Sequence, residues 1–131
     1  MRVAQISVFI ENQPGRLVAV LEALEKAQIN IRALSISESG EFGIIRMILP
    51  HAEKSQESLR EAGFTTRIDT ILSYSMPDVS GGLLNNVVRP LSDAGVNLKY
   101  FYAYTDPSTD QAIVVLKPDD LDRAAEILKS L

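Results

Sequence analysis

An internal repeat constrains the fold more than any other feature of this sequence. Displacing the chain on itself by 67 residues sets Leu17, Val20, Leu24, Ala27 and Asn30 on Leu84, Val87, Leu91, Ala94 and Asn97, and all five pairs are identities. Leu21 meets Val88, Ile29 meets Val96 and Ile31 meets Leu98, so the chemistry persists where the identity does not. A period this long marks a duplicated domain rather than a solenoid of short repeats. In a chain of 131 residues each copy is small enough to be marginal alone, because short chains bury too little of their surface, and the two copies are expected to share a surface.

Within the first copy Ile6, Val8 and Ile10 alternate with Gln5, Ser7 and Phe9, the period of a strand with one apolar face. Asn12-Gln13-Pro14-Gly15 turns the chain. Leu17, Val20, Leu21 and Leu24 then recur at amphipathic-helix spacing, with Glu22, Glu25 and Lys26 left for water. A strand runs from Asn30 through Ile36, Ser39-Gly40 turns it, and a third strand covers Gly43 to Leu49 before Pro50 stops it. Ala52 to Ala62 reads as a polar helix with a thin stripe at Ala52, Ser55 and Leu59, closed by Gly63. Phe64 to Met76 has no Gly or Pro and alternates throughout, so it is expected to be the fourth strand of copy one running on into the first strand of copy two. No flexible linker separates the copies.

Copy two repeats the pattern with the loop Asp78 to Gly82, a helix to Ala94, a strand Asn97 to Tyr104, a turn Thr105 to Asp110, a strand Ala112 to Lys117 and a helix from Asp119. Leu131 aligns with Ala62, so the sequence stops where the fourth strand of copy two is expected to begin. The fold predicted is α+β: two tandem ferredoxin-like βαββαβ repeats, residues 1–67 and 68–131, with antiparallel sheets carrying their helices on one face and the second repeat lacking its last strand. The first strand of copy two, Ile71 to Met76, is then left with a bare edge, and another strand or a partner chain is expected to cover it.

Charge and residue usage exclude several functions. A net charge of −4 argues against nucleic acid and acidic membrane surfaces as partners. The absence of Cys removes thiolate metal sites and thiol nucleophiles, and a single histidine, His51, cannot build a multi-histidine metal site. The N-terminal stretch is not a signal peptide, so a cytoplasmic protein is expected. Gly40-Glu41-Phe42-Gly43 faintly resembles the RNA-recognition motif but lacks its basic residue and stacking aromatics. No phosphate-loop spacing, nucleophile elbow or paired carboxylates in a cleft are found; neither a metal nor a cofactor is expected, and the chain is read as a non-enzyme.

Asn12-Gln13-Pro14-Gly15-Arg16-Leu17, the Leu/Val helix after it, and Gln28-Ile29-Asn30-Ile31 before the second strand resemble the opening of an ACT domain, the amino-acid-sensing module of many biosynthetic enzymes. Copy two resembles it through Asp78, Gly82, Leu84 and Ala94-Gly95-Val96-Asn97-Leu98. The resemblance spans nearly the whole chain, as two ACT repeats with no catalytic domain attached. It departs in copy two, where Ser80-Gly81 stands in place of Pro14 with one extra loop residue.

The loop before each helix is the candidate ligand site: Asn12, Gln13, Pro14, Gly15, Arg16 and Leu17 in copy one, and Asp78, Ser80, Gly81, Gly82 and Leu83 in copy two. Free N–H groups at a helix N-terminus suit a carboxylate, and Gly15 lets a ligand approach the backbone. Asn12 can accept from an ammonium group, so a free α-amino acid fits. The same residues could instead merely cap and bend the turn. Arg16 opposes the helix dipole; it could pair with a ligand carboxylate, but a solvated side chain is the expectation. Tyr100, Tyr102 and Tyr104 share the strand face that the helices leave open; such a stripe could stack on a flat ligand, but the face is expected to pack on another surface in a homodimer.

The function expected is that of a regulatory protein binding an amino acid or related small molecule. The alternative is a regulatory interaction subunit docking on a biosynthetic enzyme without ligand binding of its own. A third reading, a small enzyme similar to acylphosphatases, has residues of the right type in Arg16 and Asn30, but they are not in that enzyme's motif.

Overall fold

The computed structural model describes residues 1–129; Ser130 and Leu131, with which the second expected repeat ends, lie outside the described residues. The elements in chain order are β1 (Arg2–Glu11), α1 (Arg16–Lys26), β2 (Ala33–Ser39), β3 (Phe42–Ile48), α2 (Ala52–Glu61), β4 (Thr65–Pro77), a π-helical turn (Leu84–Val88) continuing into α3 (Arg89–Asp93), β5 (Leu98–Asp106), β6 (Gln111–Pro118) and α4 (Leu121–Lys129). The chain divides into two compact units, one made of Ala4–Thr70 and the other of Met1–Val3 with the chain from Ile71 onward. Among the described residues no helix is long and apolar enough to cross a membrane.

In the first unit the strands lie in the order β2-β3-β1-β4. β1 and β3 pair antiparallel with Ile6 opposite Met47 and Val8 opposite Ile45, and β2 pairs β3 with Ile36 opposite Ile45. Directly opposite residues share a face, so Ile6, Val8, Ile45 and Met47 form one apolar surface. Val20 and Leu24 of α1 and Leu59 of α2 close over it, each buried side chain contributing roughly 1.5–3 kcal/mol. Ser55 is the polar member of the α2 stripe; its hydroxyl, buried with it, donates to the Pro50 carbonyl at 2.7 Å. Gln5 and Ser7, on the opposite face of β1, are buried as well, so alternation along this strand separates apolar from polar residues without separating buried from exposed ones.

The second unit has the order β1-β4-β6-β5, with β1 represented by its first residues. Leu72, Val114, Leu116, Val87, Leu91 and Leu128 form its core. Phe101 stands opposite Leu116 and Ala103 opposite Val114, on the core side, which puts Tyr100, Tyr102 and Tyr104 on the other face opposite Lys117, Val115 and Ile113. Part of the bare edge expected at Ile71 to Met76, the stretch up to Ser73, is covered by the start of the chain. Met1 and Ser73 exchange both backbone bonds, the Met1 amine donating to the Ser73 carbonyl at 2.9 Å and the Ser73 N–H to the Met1 carbonyl at 2.8 Å. Residues Met1–Val3 thus stand where the fourth strand of the second repeat was expected.

One element departs from the periodicity. A continuous α-helix to Ala94 is the sequence expectation, but the turn Leu84–Val88 is π-helical, with the Arg89 N–H donating to the Leu84 carbonyl. Pro90 is the cause: it has no N–H for the Asn86 carbonyl, and its ring would collide with that carbonyl in a regular α-turn, so the wider turn moves the oxygen aside.

Candidate functional site

The loop leaving β1 is tied to the β2–β3 hairpin. Asn12 donates its backbone N–H to the Glu41 carbonyl at 2.8 Å and its side-chain Nδ2 to the Gly40 carbonyl at 3.3 Å, which leaves Oδ1 as an acceptor. Gln13 donates to Glu11 and Arg16 to Gln13, folding the four residues into a tight turn. Gly15 closes it at φ 89°, in the left-handed region where an L side chain costs about 1 kcal/mol or more. A Cβ there would meet nothing within 4 Å, so the loop is open on that side.

Gly15 is the N-cap of α1, and no side chain caps the helix. The Arg16 N–H turns to the Gln13 carbonyl at 3.3 Å and the Ala19 N–H to the Gly15 carbonyl at 3.0 Å, while those of Leu17 and Val18 belong to the first turn, whose N–H groups have no intrahelical acceptor. Beside this turn lies a depression of about 360 Å³. Ile10, Leu17, Ile36 and Gly43 give it apolar walls, and Glu11, Asn12, Gln13 and Glu38 rim it. A second hollow, of about 450 Å³, reaches from the same loop to Glu41 and Phe42.

Pairing explains why these residues meet. Ile10 and Glu38 both stand opposite Gly43 of β3, and a Cβ at Gly43 would lie 3.4 Å from Ile10 Cγ1 and 3.7 Å from the Ser37 carbonyl. Sequence reasoning singled out Asn12, Gln13 and Leu17 and missed Glu11, Ile36, Glu38 and Gly43. Only the strand register could have found them.

Arg16 is not the solvated residue expected. Its guanidinium lies over the Phe64 ring, 5.8 Å from the centroid, and its Nε is buried without a hydrogen-bond partner. The stacking offsets the unfavourable placement of a cation at the positive end of a helix, because the ring face attracts the charge.

The second loop is built differently. The Asp78 N–H donates to the Asp110 carbonyl at 2.9 Å and that of Gly82 to the Val79 carbonyl at 2.9 Å. Gly82 is buried, and a Cβ on it would come within 3.2 Å of the Pro77 carbonyl, so glycine here serves close packing. Leu83 packs on the core of its unit. Asp78, Ser80 and Gly81 remain exposed. Among the described residues no group of three or more His, Cys, Asp or Glu could hold a metal ion.

The loop, the uncapped helix and the repeated β-α-β-β-α order agree with the family comparison, in which the family described as the ACT domain pair matches residues 1–130. The chain belongs to this family. A crystal structure of a protein from Bacteroides thetaiotaomicron resembles this ACT domain pair with 36% identity and a TM-score of 0.92, over 99% of this chain and 88% of that one. The ligand-free regulatory subunit of aspartate kinase from Thermus thermophilus shares the fold at 16% identity and a TM-score of 0.66, over 97% of this chain and 90% of that one. A structure of aspartokinase alpha and beta subunits shares it at 19% identity and a TM-score of 0.63, over 98% and 90%. No curated protein was found to match the chain.

Proposed function

We propose that this ACT domain pair is a non-catalytic regulatory protein that senses a free amino acid, or a metabolite with the same two charged ends, at the loop from Asn12 to Leu17. The depression beside the uncapped start of α1 carries the reading. First-turn N–H groups suit the ligand carboxylate. Asn12 Oδ1 and the carboxylates of Glu11 and Glu38 suit its ammonium group. Ligand binding would then be passed on to an enzyme or regulator through altered packing. The use of the same fold as a regulatory subunit in Thermus thermophilus supports the regulatory half of this reading.

The second loop, from Asp78 through Ser80, Gly81, Gly82 and Leu83, is proposed as an unequal site, since Gly82 and Leu83 already serve packing and Asp78 repels a carboxylate. A screen of the twenty amino acids by thermal denaturation tests the proposal, because a ligand at 100 times its Kd adds roughly 2.7 kcal/mol. Gly15→Asp should abolish the response of the ligand found, whereas Gly15→Ala, which shares the backbone strain without the charge, should keep most of it. Equal affinity in both variants and the parent would place the site elsewhere. A flat response across all twenty would favour an interaction subunit docking on an enzyme through the tyrosine-bearing face, where Tyr104 is exposed.

A further inference from the structure

The two repeats close their cores with unlike side chains. In the first unit Phe64 and Ile68, just before β4 and within it, pack on the core around Ile6, Val20 and Leu59. In the second unit the closing strand is Met1–Val3, and its middle residue is an arginine. Since Met1 stands opposite Ser73, alternation turns Arg2 to the face that carries Leu72, the core side.

A depression of about 520 Å³ lies there, within the range of small-molecule sites. Its floor is apolar, with Leu72 and Leu128 almost fully buried and Ala125 and Tyr74 beside them. Its charged side chains are both cationic: Arg2 and Lys129 line it, and among the described residues no carboxylate side chain does. Asp122 holds Arg2 from outside the depression by a single contact of 2.6 Å to Nη2, which uses one of five guanidinium donors.

We propose that this depression is a second, separate ligand site that takes an organic carboxylate with an apolar body. The floor removes the body from water while Arg2 and Lys129 receive the carboxylate. A ligand carrying an ammonium group meets the like charges of Arg2 and Lys129, so the site discriminates against the amino acids that the loop of the first unit suits. It does not depend on that loop.

Titration of the whole chain with 3-phenylpropionate, 3-phenylpropylamine and inorganic phosphate, followed by NMR, tests the proposal. 3-Phenylpropionate should saturate and shift the signals of Leu72, Ala125 and Leu128 while leaving Ile45 and Leu59 in place. The amine and phosphate should each bind at least about tenfold more weakly. Arg2→Gln should weaken 3-phenylpropionate about tenfold, the scale of one charge-assisted hydrogen bond, and Lys129→Gln, which leaves the Arg2–Asp122 pair intact, serves should Arg2→Gln lose its fold. Binding matched by the amine, binding matched by phosphate, shifts confined to other residues, or affinity unmoved by the variant that stays folded would each overturn it.

Discussion

At the end of β5 a single exposed carboxylate organises the turn into β6. Asp106 accepts from the Ser108 hydroxyl at 2.6 Å and from the Ser108 N–H at 3.0 Å, and these bonds, the side-chain one first, hold its pKa below the usual carboxylate range. The folded-state value lies under the unfolded one, so its contribution to stability is complete above the ordinary carboxylate pKa and disappears as pH falls through the lowered folded value. Ser108→Ala should therefore raise the Asp106 pKa toward the ordinary value in a carboxyl NMR titration; an unmoved titration would contradict the assignment. Other residues differ in how far sequence alone reveals them. Gly15 is legible as the glycine of a turn before a helix, and its φ of 89° agrees with that. Arg16 is not, because the Phe64 ring it stacks on lies far along the chain. Gly43 is equally silent, since its value as a site wall exists only once β1 and β2 pair on either side of it.

Among the elements, β1 and β4 have duties that no local pattern announces. Their alternation predicts strands, yet Arg2 and Val3 at one end of β1, with Met1 before them, and Ile71–Pro77 at one end of β4 belong to the second unit, while the rest of each belongs to the first. Removing Met1–Val3 should strip the Ser73 N–H of its acceptor. A backbone hydrogen bond of about 1 kcal/mol corresponds to roughly fivefold less protection. Hydrogen exchange should thus show faster exchange at Ser73, with Ile45 and Met47 protected as before; equal protection at Ser73 in both chains would mean that the start of the chain is not what closes this edge. The helix before β5 shows the opposite failing. Leu84, Val87 and Leu91 keep helical spacing, and that apolar period hides what Pro90 does to the backbone between them.

For the whole molecule the exposed apolar side chains are the feature that calls for a partner. Phe101 and Tyr104 of β5 and Leu34 and Ile36 of β2 stand in solvent, with Phe42 57% exposed at the start of β3. Isolated apolar residues at a surface are ordinary, but several along strands favour association. We propose a homodimer, for which sedimentation equilibrium should return close to twice the 14.4 kDa chain mass in the micromolar range; a single-chain mass throughout would oppose it. The sequence by itself determined the duplication, the element order and the apolar faces, because helix and strand periodicities are local and a repeat is visible wherever a pattern recurs. It also located the loop from Asn12 to Gly15, since proline, glycine and asparagine announce a turn through their own backbone preferences. Tertiary structure alone decided that the start of the chain closes the second repeat, that Glu38 and Gly43 reach the first loop, and that Arg2 comes to lie over an apolar floor. Each of these depends on which strand pairs with which and in what register, and that is set by the burial of whole faces against each other, a quantity that no short stretch of sequence contains.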